Sequence, residues 1–136
     1  MRVVEQPPGS TVTEKSPADW ADQTRRILTR DLLTRAAHAQ PGEARALEFR
    51  ALHLNLPLIG EVADRLALTD SRRRGLEHHA LEGLHEAIHL FDPFGRADFP
   101  EFARPFVERR IRTHLPATNL RLAVHRVALA IAGSRV

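Results

Sequence analysis

The chain reads as an all-α domain, a compact bundle of five or six helices. Three features predict it. Apolar residues recur at three- and four-residue spacing through most of the chain, which places them on one face of a helix. No stretch shows sustained alternation of apolar and polar positions with β-branched residues, the mark of a half-buried strand. Breakers and short polar caps punctuate the periodic stretches at Ser16-Pro17, Gln40-Pro41-Gly42, Thr69-Asp70-Ser71, Asp92-Pro93 and Leu115-Pro116.

Residues 1–15 contain Pro7-Pro8-Gly9-Ser10-Thr11 without helical period and read as a flexible lead. Residues 16–136 read as one helical domain. Ser16 caps a first helix with Pro17 at its opening position and Asp19 and Asp22 near the positive end of the helix dipole. Its stripe is Trp20, Ile27, Leu28, Leu32 and Ala36, running to about Ala39. A second helix starts near Glu43 and carries Ala46, Leu47, Phe49 or Arg50, Leu52 and Leu54 towards Asn55. Pro57 kinks it or opens a third helix, which continues through Ile59, Val62, Ala63 and Leu66 to Leu68.

Thr69-Asp70-Ser71 caps a fourth helix, interrupted at or entered through Arg72-Arg73-Arg74-Gly75 and ending at Leu90-Phe91. Leu76, Leu81 or Ala80, Leu84, Ala87, Ile88 and Phe91 form its apolar flank, with Glu77, Glu82, His85, Glu86 and His89 outward. Asp92-Pro93 forces a break, because proline has no amide proton and excludes Asp92 from the helical region. After a tight turn to Gly95, a fifth helix carries Phe99, Phe102, Phe106 and Ile111 on its inner face. Pro116 ends it, and Ala117-Thr118-Asn119 caps a last helix within residues 116–136, rich in Leu120, Val124, Val127, Leu129 and Ile131 and closed by Gly133. The expected core gathers Trp20, Phe49, Leu52, Leu56, Ile59, Val62, Leu66, Leu84, Ile88, Phe91, Phe99, Phe102, Ile111 and Leu120.

A chain of 136 residues buries roughly two thirds of its unfolded surface, enough for a core without staples. There is no cysteine, which excludes disulfides and thiolate metal sites and suits a reducing cytoplasm. No run approaches the roughly 20 apolar residues of a bilayer span, and the N-terminus has no signal-peptide core. A cytoplasmic protein without membrane contact is expected. Basic residues outnumber acidic ones by 20 to 17, and Lys15 is the only lysine. That excess permits a phosphate-contacting face without demanding one.

Three groups of residues are candidates for chemistry. His78, His79, His85 and His89 lie near Glu82 and Glu86, but their spacing matches no metalloprotease order and reads as a polar face, so no metal is expected. Arg72, Arg73 and Arg74 at a helix entrance read equally as forks for phosphates or an acidic protein surface and as a solvated loop. Arg104, Arg109, Arg110 and Arg112 accompany the phenylalanines of the fifth helix, and aromatic rings beside cations are how single strands are generally held. No nucleophile–base–orienter set, phosphate-cradling glycine loop or pair of buried carboxylates can be read. Neither an enzyme, a cofactor nor a small-molecule substrate is expected.

Gly83, Leu84, Ala87, Ile88, Phe91, Asp92 and Pro93 follow the order G-L-x-x-A-(I/V)-x-x-F-D-P, and Phe99, Phe102 and Ala103 follow F-S-T-Y-A. Arg104-Pro105-Phe106-Val107 and Ile111-Arg112 continue in register, and Leu54-Asn55-Leu56-Pro57-Leu58-Ile59 matches an H-L-P-L-V lead-in. This arrangement resembles region 2 of the sigma-70 family of bacterial RNA polymerase sigma factors, closest to the stress and sporulation branch. The resemblance implies a region 2-like helical fold that holds the β′ clamp helices of the polymerase core. It also implies that the Phe99 helix captures bases of the −10 promoter element, with Phe99, Phe102, Arg104, Arg109, Arg110 and Arg112 as DNA contacts. The polymerase- or partner-binding face would be Arg72, Arg73, Arg74, Leu76, His78, His79 and Glu82.

The chain departs from the family at telling places. Gly75 and His78 stand where the clamp-binding segment has an aspartate and a glutamine, and Pro100 and Glu101 replace the serine and threonine. The region 4 helix-turn-helix is not found, so a self-sufficient sigma factor is not expected. Three readings follow: a region 2-type sigma protein that binds polymerase core and −10 DNA, a degenerate sigma-like regulator that binds a sigma factor, an anti-sigma factor or polymerase without reading DNA, and a helical interaction module.

Overall fold

In the computed structural model, which describes residues 14–115, the first helix begins where its cap predicts. The Ser16 hydroxyl accepts the Asp19 amide at 3.2 Å while the Asp19 carboxylate accepts the Ser16 amide at 3.1 Å, a reciprocal capping box. Helix α1 spans Pro17–Ala37, α2 Pro41–Leu54, α3 Pro57–Arg65, α4 Asp70–Leu90 and α5 Phe99–Thr113, with no strand among the described residues. The expected sixth helix with Leu120, and the N-terminal lead apart from Glu14 and Lys15, lie outside the described residues.

Prolines open three of the five helices, and α5 carries Pro100 at its second position. Pro41 begins α2 two residues ahead of the expected start, and Pro57 begins α3 rather than kinking its predecessor. The third helix stops earlier than expected. Ala67 takes a left-handed conformation with φ of 52°, so that its amide donates to the Asp64 carbonyl (3.1 Å) and the Leu68 amide to the Ala63 carbonyl (3.1 Å). That is the Schellman pattern, built here on alanine where glycine is usual. Helix α4 then runs unbroken through the arginine triplet, so Arg72, Arg73 and Arg74 occupy its first two turns and not a loop.

The largest interface joins α4 and α5, which lie antiparallel; α1 packs on α2, α2 on α4, and α3 bridges α4 and α5. Small residues let α4 and α5 approach closely. Ala80, Gly83 and Ala87 face Ala103 and Val107, all of them buried. A Cβ on Gly83 would lie 2.7 Å from the Phe106 carbonyl oxygen, so only glycine fits at this closest point. On α5 the buried ladder is Phe99, Ala103, Val107 and Ile111 at four-residue intervals, with Phe102 and Phe106 half-buried on its flank.

Three expected core residues lie elsewhere. Trp20 is 58% exposed, because the buried stripe of α1 begins only at Thr29 and the first turns project past the bundle. Phe49 is 60% exposed, since α2 buries Leu47, Ala51 and Leu52 and so turns position 49 to solvent, where its ring meets His53 at 4.3 Å. Leu56, 39% exposed, sits in the corner between α2 and α3. The remaining expected core positions within the described residues are buried or packed against the buried cluster.

Candidate functional site

The connection between α4 and α5 is a built structure. The Asp92 carboxylate accepts the Phe94 amide at 3.0 Å and the Asp92 carbonyl accepts the Gly95 amide at 3.2 Å, closing the turn around Pro93. Arg30 of α1 reaches across and donates to the carbonyls of Pro93 (2.5 Å), Gly95 (3.0 Å) and Ala97 (2.7 Å), with its guanidinium over the Phe91 ring. A planar five-donor fork is suited to three carbonyls that turn towards one point. Beside it, Arg26 pairs with Asp98 (3.1 Å) and Glu101 (3.0 Å). Neither Arg26 nor Arg30 stood out in the sequence, since each lies more than sixty positions from its partners.

Within this frame the residues expected to meet DNA are largely occupied. Phe99 is only 2% exposed and meets Phe91 edge-on at 5.3 Å, so its ring belongs to the core. Phe102 is half-buried between Phe91 (5.4 Å) and Phe106 (5.0 Å). Arg110 forms a bridge back to α4, reaching Glu82 and Glu86 at 3.2 Å each. Arg104 lies 3.7 Å from Glu61 and 3.9 Å from Glu101, with its Nε buried and without a hydrogen-bond partner. Arg112 pairs with Glu108 at 2.8 Å. Arg109 is exposed, and among the described residues it meets no carboxylate.

The expected partner-binding residues divide in the same way. Arg73 is tied down, its Nε donating to the Leu68 carbonyl at 3.2 Å and its fork to the Asp64 carboxylate. Leu76 is buried in the core. His78 is exposed and lies 2.8 Å from Glu82. His79 stacks flat on His114 of the α5 terminus, with ring centroids 3.5 Å apart, a packing contact between the two helices rather than an outward group. Arg72 is half-buried and Arg74 exposed, both at the same end of the bundle as the terminus of α5.

Histidines 78, 85 and 89 line an open concavity of about 700 Å³ with Leu52, Leu81, Glu82, Glu86 and Arg110. Among the described residues no group of three or more histidines and carboxylates is placed to hold a metal ion. No helix among them is long and apolar enough to cross a membrane. At the start of α1, hydrogen bonds from the Ser16 hydroxyl and amide hold the Asp19 carboxyl below the usual carboxylate range.

A buried polar pair was also invisible to pattern reasoning. The Asn55 amide donates to Thr29 Oγ1 (2.8 Å) and to the Ala51 carbonyl (2.8 Å), and the Thr29 hydroxyl donates to the Arg25 carbonyl (2.7 Å). It fixes the corner between α2 and α3 against α1.

No family model matches the chain, and no curated protein and no solved structure matches it.

Proposed function

We propose that the protein is a sigma-like regulator that binds another transcription protein, namely a sigma factor, an anti-sigma factor or RNA polymerase, without reading promoter DNA. The observation that carries this reading is the state of the α5 surface. Phe99 lies in the core, Phe102 is wedged between two other rings, and Arg104, Arg110 and Arg112 are each beside a carboxylate. A single strand needs open stacking platforms and uncommitted cations, and this face offers few of either. The antiparallel α4–α5 pair, pinned through its connection by Arg30, supplies instead a rigid helical surface of the kind a protein partner docks on.

On that surface the outward groups are Arg74 and His78 in the first half of α4, with Arg109 on α5, while Arg72 is half-buried beside them. Exposed arginines favour an acidic partner surface and set its approach rate more than its final affinity. A second reading, polymerase core together with the −10 strand, is favoured by one observation: the Arg112 pair is a surface contact, and such pairs are weak enough to exchange for phosphate.

The test is a pull-down of the purified protein against core RNA polymerase and against free sigma factors, alongside a fluorescent −10 single strand at two salt concentrations. Protein binding without strand binding supports the regulator. Salt-sensitive, sequence-preferring strand binding that is lost in Arg109→Glu/Arg112→Glu replaces it with the second reading. Binding to neither overturns both.

A further inference from the structure

Between α3, the first half of α4 and the end of α5 lies an open groove of about 340 Å³, walled by Leu56, Ile59, Leu68, Leu76, Ala80 and Ile111. Leu56 is 39% exposed there. Apolar side chains gathered in an open groove mark a surface for association. The same wall carries two opposite charges on α4. Arg74 and Glu77 are both exposed, and neither is paired with an opposite charge among the described residues, whereas the neighbouring Arg73 is held by Asp64. We propose that this groove is the contact face of a homodimer, in which Arg74 of one protomer pairs with the partner's Glu77 and Glu77 with the partner's Arg74.

The charges select the occupant. A uniformly acidic partner would satisfy Arg74 and be repelled by Glu77, and a uniformly basic one would do the reverse. A surface that presents the same two charges in the opposite order satisfies both. A second copy does so by symmetry, because a two-fold axis makes every contact occur twice with the roles exchanged. The spacing suits such an axis. Three helical residues span about 4.5 Å along α4, so two α4 segments that run antiparallel past each other bring both ion pairs within reach at once. Leu56, Ile59 and Leu68 of the two copies then close on one another.

A glycine in the same groove supports a close approach. Gly60 is exposed within α3, and a Cβ there would meet nothing within 4 Å among the described residues. Glycine inside a helix costs stability relative to alanine, and the missing side chain leaves room for a second backbone. Apolar contact supplies the affinity of such a face, while the paired charges fix register and orientation. Dimerisation is independent of the transcription reading above. If both hold, a partner that uses Arg74 must compete with the second copy.

Sedimentation velocity of the full chain from about 1 to about 100 µM, the weak end of interface affinities, reads the association directly. The chain has no cysteine, so no disulfide can imitate it. The expected result is a reversible monomer–dimer equilibrium. Arg74→Glu leaves two acids at the contact and Glu77→Arg two arginines. Each variant alone should dimerise about tenfold more weakly or worse, since like charges then face each other twice. An equimolar mixture of the two should recover the wild-type affinity to within about threefold, because the acidic wall of one meets the basic wall of the other. Gly60→Leu fills the approach without changing charge and should also weaken the dimer, with circular dichroism confirming that the monomer is folded. A chain that stays monomeric throughout overturns the proposal. So does a dimer indifferent to all three substitutions, and so does a mixture of the two charge variants that fails to associate.

Discussion

Two glycines on α4 differ in a way that makes a sharp comparison. At Gly75 an added Cβ meets nothing within 4 Å, and the position is exposed in mid-helix. Alanine there stabilises by about 1 kcal/mol, the helix-propensity difference. At Gly83 the same methyl would stand 2.7 Å from the Phe106 carbonyl oxygen and 3.0 Å from Val107 Cα and Arg110 Cγ. Two of those atoms are backbone, so α5 must move by roughly half an ångström to restore the ~3.3 Å at which a carbon meets a carbonyl oxygen. That movement opens the packing of Ala80 and Ala87 against Ala103 and Val107. Overpacking of this kind costs about 1–3 kcal/mol, and the propensity gain offsets about 1 of it. Gly83→Ala is therefore expected to be net destabilising by up to about 2 kcal/mol. The assay is urea unfolding followed by circular dichroism. The midpoint rises for Gly75→Ala and falls for Gly83→Ala, with unchanged slope in both. If Gly83→Ala stabilises as much as Gly75→Ala, the two helices are not in contact at this point and the reasoning about the α4–α5 pair fails.

Ala67→Gly is expected to stabilise by about 1 kcal/mol, because alanine bears the steric cost of the left-handed cap; a lower urea midpoint would show that the residue is not left-handed in solution. Arg30→Ala removes three hydrogen bonds from a charged donor, and the expected loss is about 2–3 kcal/mol, with faster amide exchange confined at first to residues 92–98; uniform exchange across the chain would argue against a local clamp. Asp19 titrates lower in the folded chain than in the unfolded one. The folded state then binds fewer protons, so the contribution is complete above the ordinary aspartate range and disappears as pH falls through the lower, native value. Asp19→Asn should flatten the acid limb of the stability curve, and an unchanged limb would remove the capping box from the account.

Much of the fold was legible because short-range chemistry writes it. Prolines at first helical positions, Ser16 and Thr69 as caps, the Asp92-Pro93 break and the four-residue apolar spacing are all local, and each marks an element found in the structure. The face of each helix that would be buried was less legible. Phe49 and Trp20 are large and apolar, yet burial follows the neighbour a helix meets, and α2 meets its neighbours through Leu47, Ala51 and Leu52. The end of α3 was misread because an alanine in a left-handed cap leaves no compositional mark.

By itself the sequence determined that this is a helical chain, which capping residues and prolines mark the starts of its first and fourth helices, that it carries no cysteine, and which arginines and phenylalanines share the fifth helix. Tertiary structure alone decided what those side chains are free to do. Arg110 reads as a phosphate contact until α4 brings Glu82 and Glu86 beside it, Phe99 is open to both a core and a stacking role until Phe91 closes over it, and Arg30 has no assigned task until the α4–α5 turn presents three carbonyls to it. The reason is one of range. Caps, breaks and periodicity act over a few residues and are written in consecutive letters. Charge pairing and burial depend on which surfaces meet across the bundle, and those meetings join residues tens of positions apart.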